Sequence, residues 1–194
     1  ATLRWRETRP VCPAGPRRSV LPIFASPGYW VYTLAFSAGM GSFFVFFSTA
    51  PRVLIGQAGY SRIGFSLAFA TVAFAMIATT RFAKGFVARW GIAGCVARGM
   101  ALLVTSAALL AVGQLAGSPS FLGFIVPMWV MAAGIVLTVS VTANGALAEF
   151  DDIAGSAVAF YFCIQSLVVS IAGTLAVTCL DGDTAWPVIA YATA

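Results

Sequence analysis

Residues 99–148 read GMALLVTSAALLAVGQLAGSPSFLGFIVPMWVMAAGIVLTVSVTANGALA, and these fifty positions between Arg98 and Glu149 hold no charged side chain. A hydrocarbon layer of roughly 30 Å takes about 20 residues of helix at 1.5 Å per residue, so the stretch is long enough for two crossings. Its turn signal, Ala116-Gly117-Ser118-Pro119-Ser120, divides it in two. Working outward, 30–51, 63–80 and 153–180 are comparably apolar and of similar length. A soluble core does not need so many uniformly apolar helices in a row. In lipid every backbone N–H and C=O must be satisfied within its own segment, which leaves the helix as the form for such spans. The chain therefore reads as an all-α polytopic membrane protein.

Composition agrees. Hydrophobic residues make up 60% of the chain and charged residues 9%, against a globular share near 25% charged. The 19 glycines suit helices that approach closely in lipid, where packing replaces the hydrophobic drive. No histidine is present, which excludes histidine-based metal binding, acid–base catalysis and pH sensing in this chain. Cys12, Cys95, Cys163 and Cys179 show no Cys-x-x-Cys spacing, so they read as small buried hydrophobes or a loop thiol, not a metal site or disulfide frame. With no nucleophile–base pair or carboxylate cluster at a span end, the reading is not an enzyme. No cofactor is implied.

The order of segments follows. Residues 1–28 form a proline-rich linker with Arg4, Arg6, Arg9, Arg17 and Arg18 and a short amphipathic turn around Val20–Phe24. Spans are expected at about 29–51, 61–80, 92–115, 121–144 and 155–180, and a sixth begins at Trp186 and is cut at Ala194. Residues 29–194 thus form one transmembrane helical region. The absence of an initiator Met and the unfinished last span point to a fragment. A turn lies around 56–60, a compact basic loop over 81–91, an acidic loop at Glu149, Asp151 and Asp152, and a turn at Asp181-Gly182-Asp183. Placing 1–28 in the cytoplasm puts eight of the eleven Lys/Arg inside (the five linker arginines, Arg81, Lys84 and Arg89) and only Arg52 and Arg62 outside. That bias is the positive-inside pattern. It accounts for the net charge of +5 without nucleic acid.

Arg98 is the one charge inside a span, about two turns from the cytoplasmic end. It is either a side chain snorkelling to the interface or a cation lining a watery cavity. No span holds an Asp or Glu, so a proton carrier is not evident in this chain. Gln165 is too polar for mid-span filler and serves as interhelical glue or a substrate contact. Phe43 and Phe47 are lipid-facing or packing residues, or the lining of a greasy pocket. Pro127 is placed to bend the fourth span.

The residues then become familiar. Asn144–Phe160, NGALAEFDDIAGSAVAF, with Ala146-Leu147 and the small run Ala154-Gly155-Ser156-Ala157, resembles the loop between the tenth and eleventh spans of the Bcr/CflA-type drug/proton antiporters of the major facilitator superfamily, in particular their chloramphenicol/florfenicol exporters. Gly59-Tyr60-Ser61-Arg62-Ile63-Gly64-Phe65 looks like the start of that family's eighth span. The segment RFAKGFVARWG at 81–91 sits where the superfamily has a basic, glycine-bearing gating loop. Lys84, Arg89 and Gly91 match its character, but its acidic residue is missing. The resemblance implies the C-terminal six-helix half of a twelve-helix transporter in the bacterial inner membrane, multi-pass and monomeric. It implies export of a chloramphenicol- or florfenicol-like drug against protons handled by the missing N-terminal half, with membrane lipid as the other partner. Other small-solute transport on the same fold, or a non-transporting membrane scaffold, remains the alternative.

Overall fold

The computed structural model describes residues 19–115, 121–180 and 183–193, and every regular element among them is helical. Most of the linker, the turn at 116–120 and Asp181-Gly182 lie outside the described residues. The short helix α1 spans Leu21–Ala25, close to the amphipathic turn expected there. The helix α2, Pro27–Pro51, starts where sequence chemistry dictates. Pro27 fits the first helical position, and the Tyr29 N–H donates to the Ser26 hydroxyl at 3.4 Å. A π-helical turn, Arg52–Gln57, prolongs it.

The run α3, Arg62–Leu115, opens with a similar cap, the Gly64 N–H donating to Ser61 Oγ at 3.0 Å. It is two helices, a first arm over 62–90 and a second over 92–115, broken at Gly91 (φ 69°, ψ 177°). Those torsions are almost exclusive to glycine. The segment expected as a loop over 81–91 is thus helical up to Trp90. Nothing in Arg81–Trp90 forces a break: it has no proline, and its alanines, arginines and lysine favour helix. The Phe86 and Trp90 rings, one turn apart, stack with centroids 4.9 Å apart.

The helix α4, Phe121–Leu147, runs through Pro127. After a 3-10 turn at Asp151–Ile153 come α5, Ala154–Val168, a π-helical turn at Val169–Gly173, and α6, Thr174–Cys179. The last helix is α7, Trp186–Thr193. Four helical runs are long and apolar enough to cross a membrane: 27–57, 62–115, 123–147 and 151–179.

Packing centres on α4. Its antiparallel partner is the second arm of α3, held by a close glycine contact: a Cβ on Gly134 would lie 2.9 Å from the Gly99 carbonyl oxygen. Two turns along, Ser106 Oγ donates to the Pro127 carbonyl at 2.8 Å. The first arm lies beside the same part of α4, with the Trp129 indole N–H donating to Thr71 Oγ1 at 2.9 Å. Thr71 and Ser106 therefore stand at one level, and the chain reverses at Gly91. Val45, Phe46, Leu103, Leu110, Met128 and Met131 fill the main core. A second core joins Tyr29, Phe36, Phe150 and Tyr161. The most apolar part of α4 is 61% buried but that of 151–179 only 11%, so α5 lies at the rim, packed along one face through Ala157 and Tyr161 and open elsewhere.

Candidate functional site

Most polar groups at depth are turned back on their own helix. Thr33, Ser37 and Ser42 donate to the carbonyls of Tyr29, Thr33 and Ala38 at 2.7–2.8 Å, and Thr138 donates to Gly134 at 2.9 Å. This removes the penalty of an orphan hydroxyl in lipid and leaves little free chemistry. A smaller set ties helices together. Tyr161 donates to Thr142 Oγ1 at 2.9 Å, Tyr29 to the Ala157 carbonyl at 2.8 Å, and Tyr191 to the Ser37 carbonyl at 3.2 Å. At one end of the bundle, Ser26 Oγ donates to Glu149 Oε2 at 3.2 Å. Among the described residues no buried side-chain nitrogen or oxygen lacks a partner.

Arg98 is exposed on the second arm, and its side chain folds back toward Gly91. One guanidinium nitrogen donates to the Gly94 carbonyl at 3.1 Å, and Cζ lies 4.5 Å from the centre of the Trp90 ring. A cation over an indole face is a favourable electrostatic contact. Lys84, Arg89 and Gly91 are exposed at the same end of the bundle.

Phe43 and Phe47 lie toward the other end. Their rings meet edge to face at 4.5 Å and join Phe46, Phe65 and Phe69 where α2 meets the start of α3. Phe47 is exposed and Phe43 half-buried. Gln165 is half-buried in the last turn of the rim helix α5, near the middle of the 151–179 run. The residues singled out from sequence are therefore spread along the bundle. Arg98 belongs to one end, the phenylalanines to the other, and Gln165 to the open side. Among the described residues no cluster of His, Cys, Asp and Glu is placed to hold a metal ion.

The structure also brings together residues that sequence reasoning passed over. Between the first arm of α3 and α4 runs an apolar groove of about 680 Å³, with the Trp129 indole on one side and Thr71 on the wall. A second, of about 490 Å³, lies between Leu34 and Ala38 on α2, Val168 and Ala172 on the rim, and Tyr191 on α7. The available signal for the first was a tryptophan nine residues into a span, well away from the headgroup level where tryptophan concentrates.

No family model matches the chain, and no solved structure matches it. It is 46% identical over 189 residues to a chloramphenicol resistance protein of Pseudomonas aeruginosa, covering 96% of this chain and 45% of that protein. It is 38% identical over 113 residues to a chloramphenicol resistance protein of Escherichia coli, covering 57% of this chain and 37% of that one. The chain spans less than half the length of the curated relatives it matches. With four helical runs of spanning length and apolarity, this is a membrane protein similar to proteins named for chloramphenicol resistance.

Proposed function

We propose that the chain is one half of a major facilitator superfamily exporter that removes chloramphenicol-type antibiotics from the bacterial cytoplasm. The observation that carries this reading is the 46% identity to the Pseudomonas protein, which runs through all the apolar helices together. A chain with no histidine and with its apolar surface arranged as membrane helices suits removal. The helices cross the inner membrane repeatedly, with the Gly91 turn and the Glu149 loop on the cytoplasmic side, as the distribution of Lys and Arg directs.

Coupling is to protons. Glu149, Asp151, Asp152 and Asp183 all lie outside the long apolar helices, or at the very edge of one, so the carboxylate that takes up and releases the proton belongs to the other half. In the reading from resemblance, the two halves rock about a central cavity.

The test is expression of the full-length protein in a chloramphenicol-sensitive strain. Accumulated radiolabelled drug should fall severalfold, rise again on adding a protonophore, and be recovered chemically unchanged. Resistance with undiminished drug in the cell, or recovery of modified drug, would overturn the reading.

A further inference from the structure

The rim run 151–179 is fastened to the bundle at two places. Near its start Ala157 and Tyr161 are buried: the Tyr29 hydroxyl donates to the Ala157 carbonyl at 2.8 Å, and Tyr161 donates to Thr142 Oγ1 at 2.9 Å. The second fastening is the π-helical turn, whose buried residues are Val169 and Gly173. Gly173 lies so close to α2 that a Cβ there would stand 2.9 Å from Phe44 Cδ1 and 3.7 Å from Val45 Cγ2. Beyond that contact the hold is light. Thr174–Cys179 has no buried residue and meets the core through half-buried Ala176 and Val177, while Leu175 is 55% exposed.

Backbone bonding at the turn is divided between two registers. The Val169 N–H is shared between the Gln165 and Ser166 carbonyls, and the Thr174 N–H between those of Ser170 and Ile171. A donor shared in this way exchanges acceptors over a small change in torsion. Val168, Val169, Gly173 and Thr174 all keep ordinary helical angles, with φ from −61° to −66° and ψ from −42° to −48°. A π turn holds one residue more than the α-helix that would replace it, so the run carries a spare position between two regular helices. Helices bend at such turns, and no proline at Val169–Gly173 fixes the angle.

Resting on the proposed export function, we propose that the Val169–Gly173 turn is a hinge in the rim helix. The part 154–168 stays fixed to α2 and α4. The part 174–179 pivots about the Gly173–Phe44 contact as the exporter changes the face of the membrane to which it opens. Shared backbone bonds make the bend soft, and the step from a fastened to a lightly held segment gives it one fixed and one moving side. The Phe44 ring is the fulcrum.

Cys163 and Cys179 stand on either side of the turn, and both are exposed free thiols. Their separation along a helix is roughly 24 Å at 1.5 Å per residue, which suits double electron–electron resonance. In the purified full-length protein, with every other cysteine replaced by serine, spin labels on these two thiols should give two distances about 3 Å or more apart. Saturating chloramphenicol should shift the balance between them. Deletion of Ser170, an exposed residue of the turn, removes the spare position. That variant should stay monodisperse, give one distance and bind labelled chloramphenicol with a Kd within about twofold of wild type. Its transport kcat in liposomes should fall about tenfold, because the conformational step is what it loses. A single wild-type distance that drug leaves unchanged would overturn the hinge, and so would wild-type transport by the deletion variant. Where the deletion prevents folding, the wild-type distances alone decide. Export by the unlabelled wild type is measured first. Its absence sinks the functional reading, whereas export with a fixed Cys163–Cys179 distance sinks the hinge alone.

Discussion

The guanidinium of Arg98 reaches back four residues to the Gly94 carbonyl and eight to the Trp90 ring, both toward the Gly91 turn. That direction favours the interfacial role over the cavity role. Contacts of this kind are worth about 0.5–1 kcal/mol where water has access. Arg98→Lys keeps the charge and the reach, so initial efflux in inverted vesicles, normalised to protein, should stay within about twofold of wild type. A tenfold loss with normal folding would place the guanidinium in the drug path instead. Tyr161 offers a cleaner measure of interhelical glue. Its hydroxyl bonds Thr142 across the α4–α5 contact, and its ring packs 4.8 Å from Phe36. Tyr161→Phe removes the hydrogen bond alone, and bonds of this type between membrane helices average about 0.6 kcal/mol. A shift of that order in reversible unfolding in mixed micelles is expected. A loss above about 2 kcal/mol would mean the hydroxyl holds more than one helix.

Among the elements, α4 and the second arm of α3 approach closely, because two glycine backbones meet there. A side chain on Gly134 would collide with the Gly99 carbonyl and with the Leu102 and Leu103 positions, at 2.9–3.1 Å. Gly134→Leu should therefore force the helices apart and lower the yield of monodisperse protein severalfold in fluorescence-detected size-exclusion chromatography. Gly85→Ala, on the first arm with open space around it, should be neutral or stabilise by about 0.5–1 kcal/mol. Equal effects of the two would show that the glycine contact is not what sets the spacing. The existence of these helices was legible in the sequence, since apolar length is a local signal. The end of the first arm was not. Arg81, Lys84 and Gly85 read as loop chemistry, but solvated charges at the headgroup level leave a helix intact, and only Gly91 has torsions that end it. The azimuth of each residue was also hidden. Thr71 and Trp129 stand 58 residues apart, and no local pattern pairs them.

For the whole molecule, orientation is the first quantity to check. After Cys12, Cys95, Cys163 and Cys179 are removed, single cysteines at exposed Lys84 and exposed Gln57 should react with an impermeant thiol reagent from opposite faces of the membrane. Gln57 should label in intact cells and Lys84 only in inverted vesicles. Labelling of both from the same side would overturn the proposed topology. The bundle itself is lopsided, with α4 at the centre and the 151–179 run barely covered. The unbroken first arm of α3 has a mechanical meaning beyond topology. From Arg62 to Thr80 it measures roughly 28 Å, close to the hydrocarbon thickness, and the same rod continues as Arg81–Trp90. Arg81, Lys84 and Arg89 are thus bolted to the membrane-spanning shaft and cannot drift as they would on a loop. Each is drawn to anionic headgroups by about 1 kcal/mol near the surface. On the proposed topology that pull is carried along the rod to the tilt of the membrane-spanning part of the same arm.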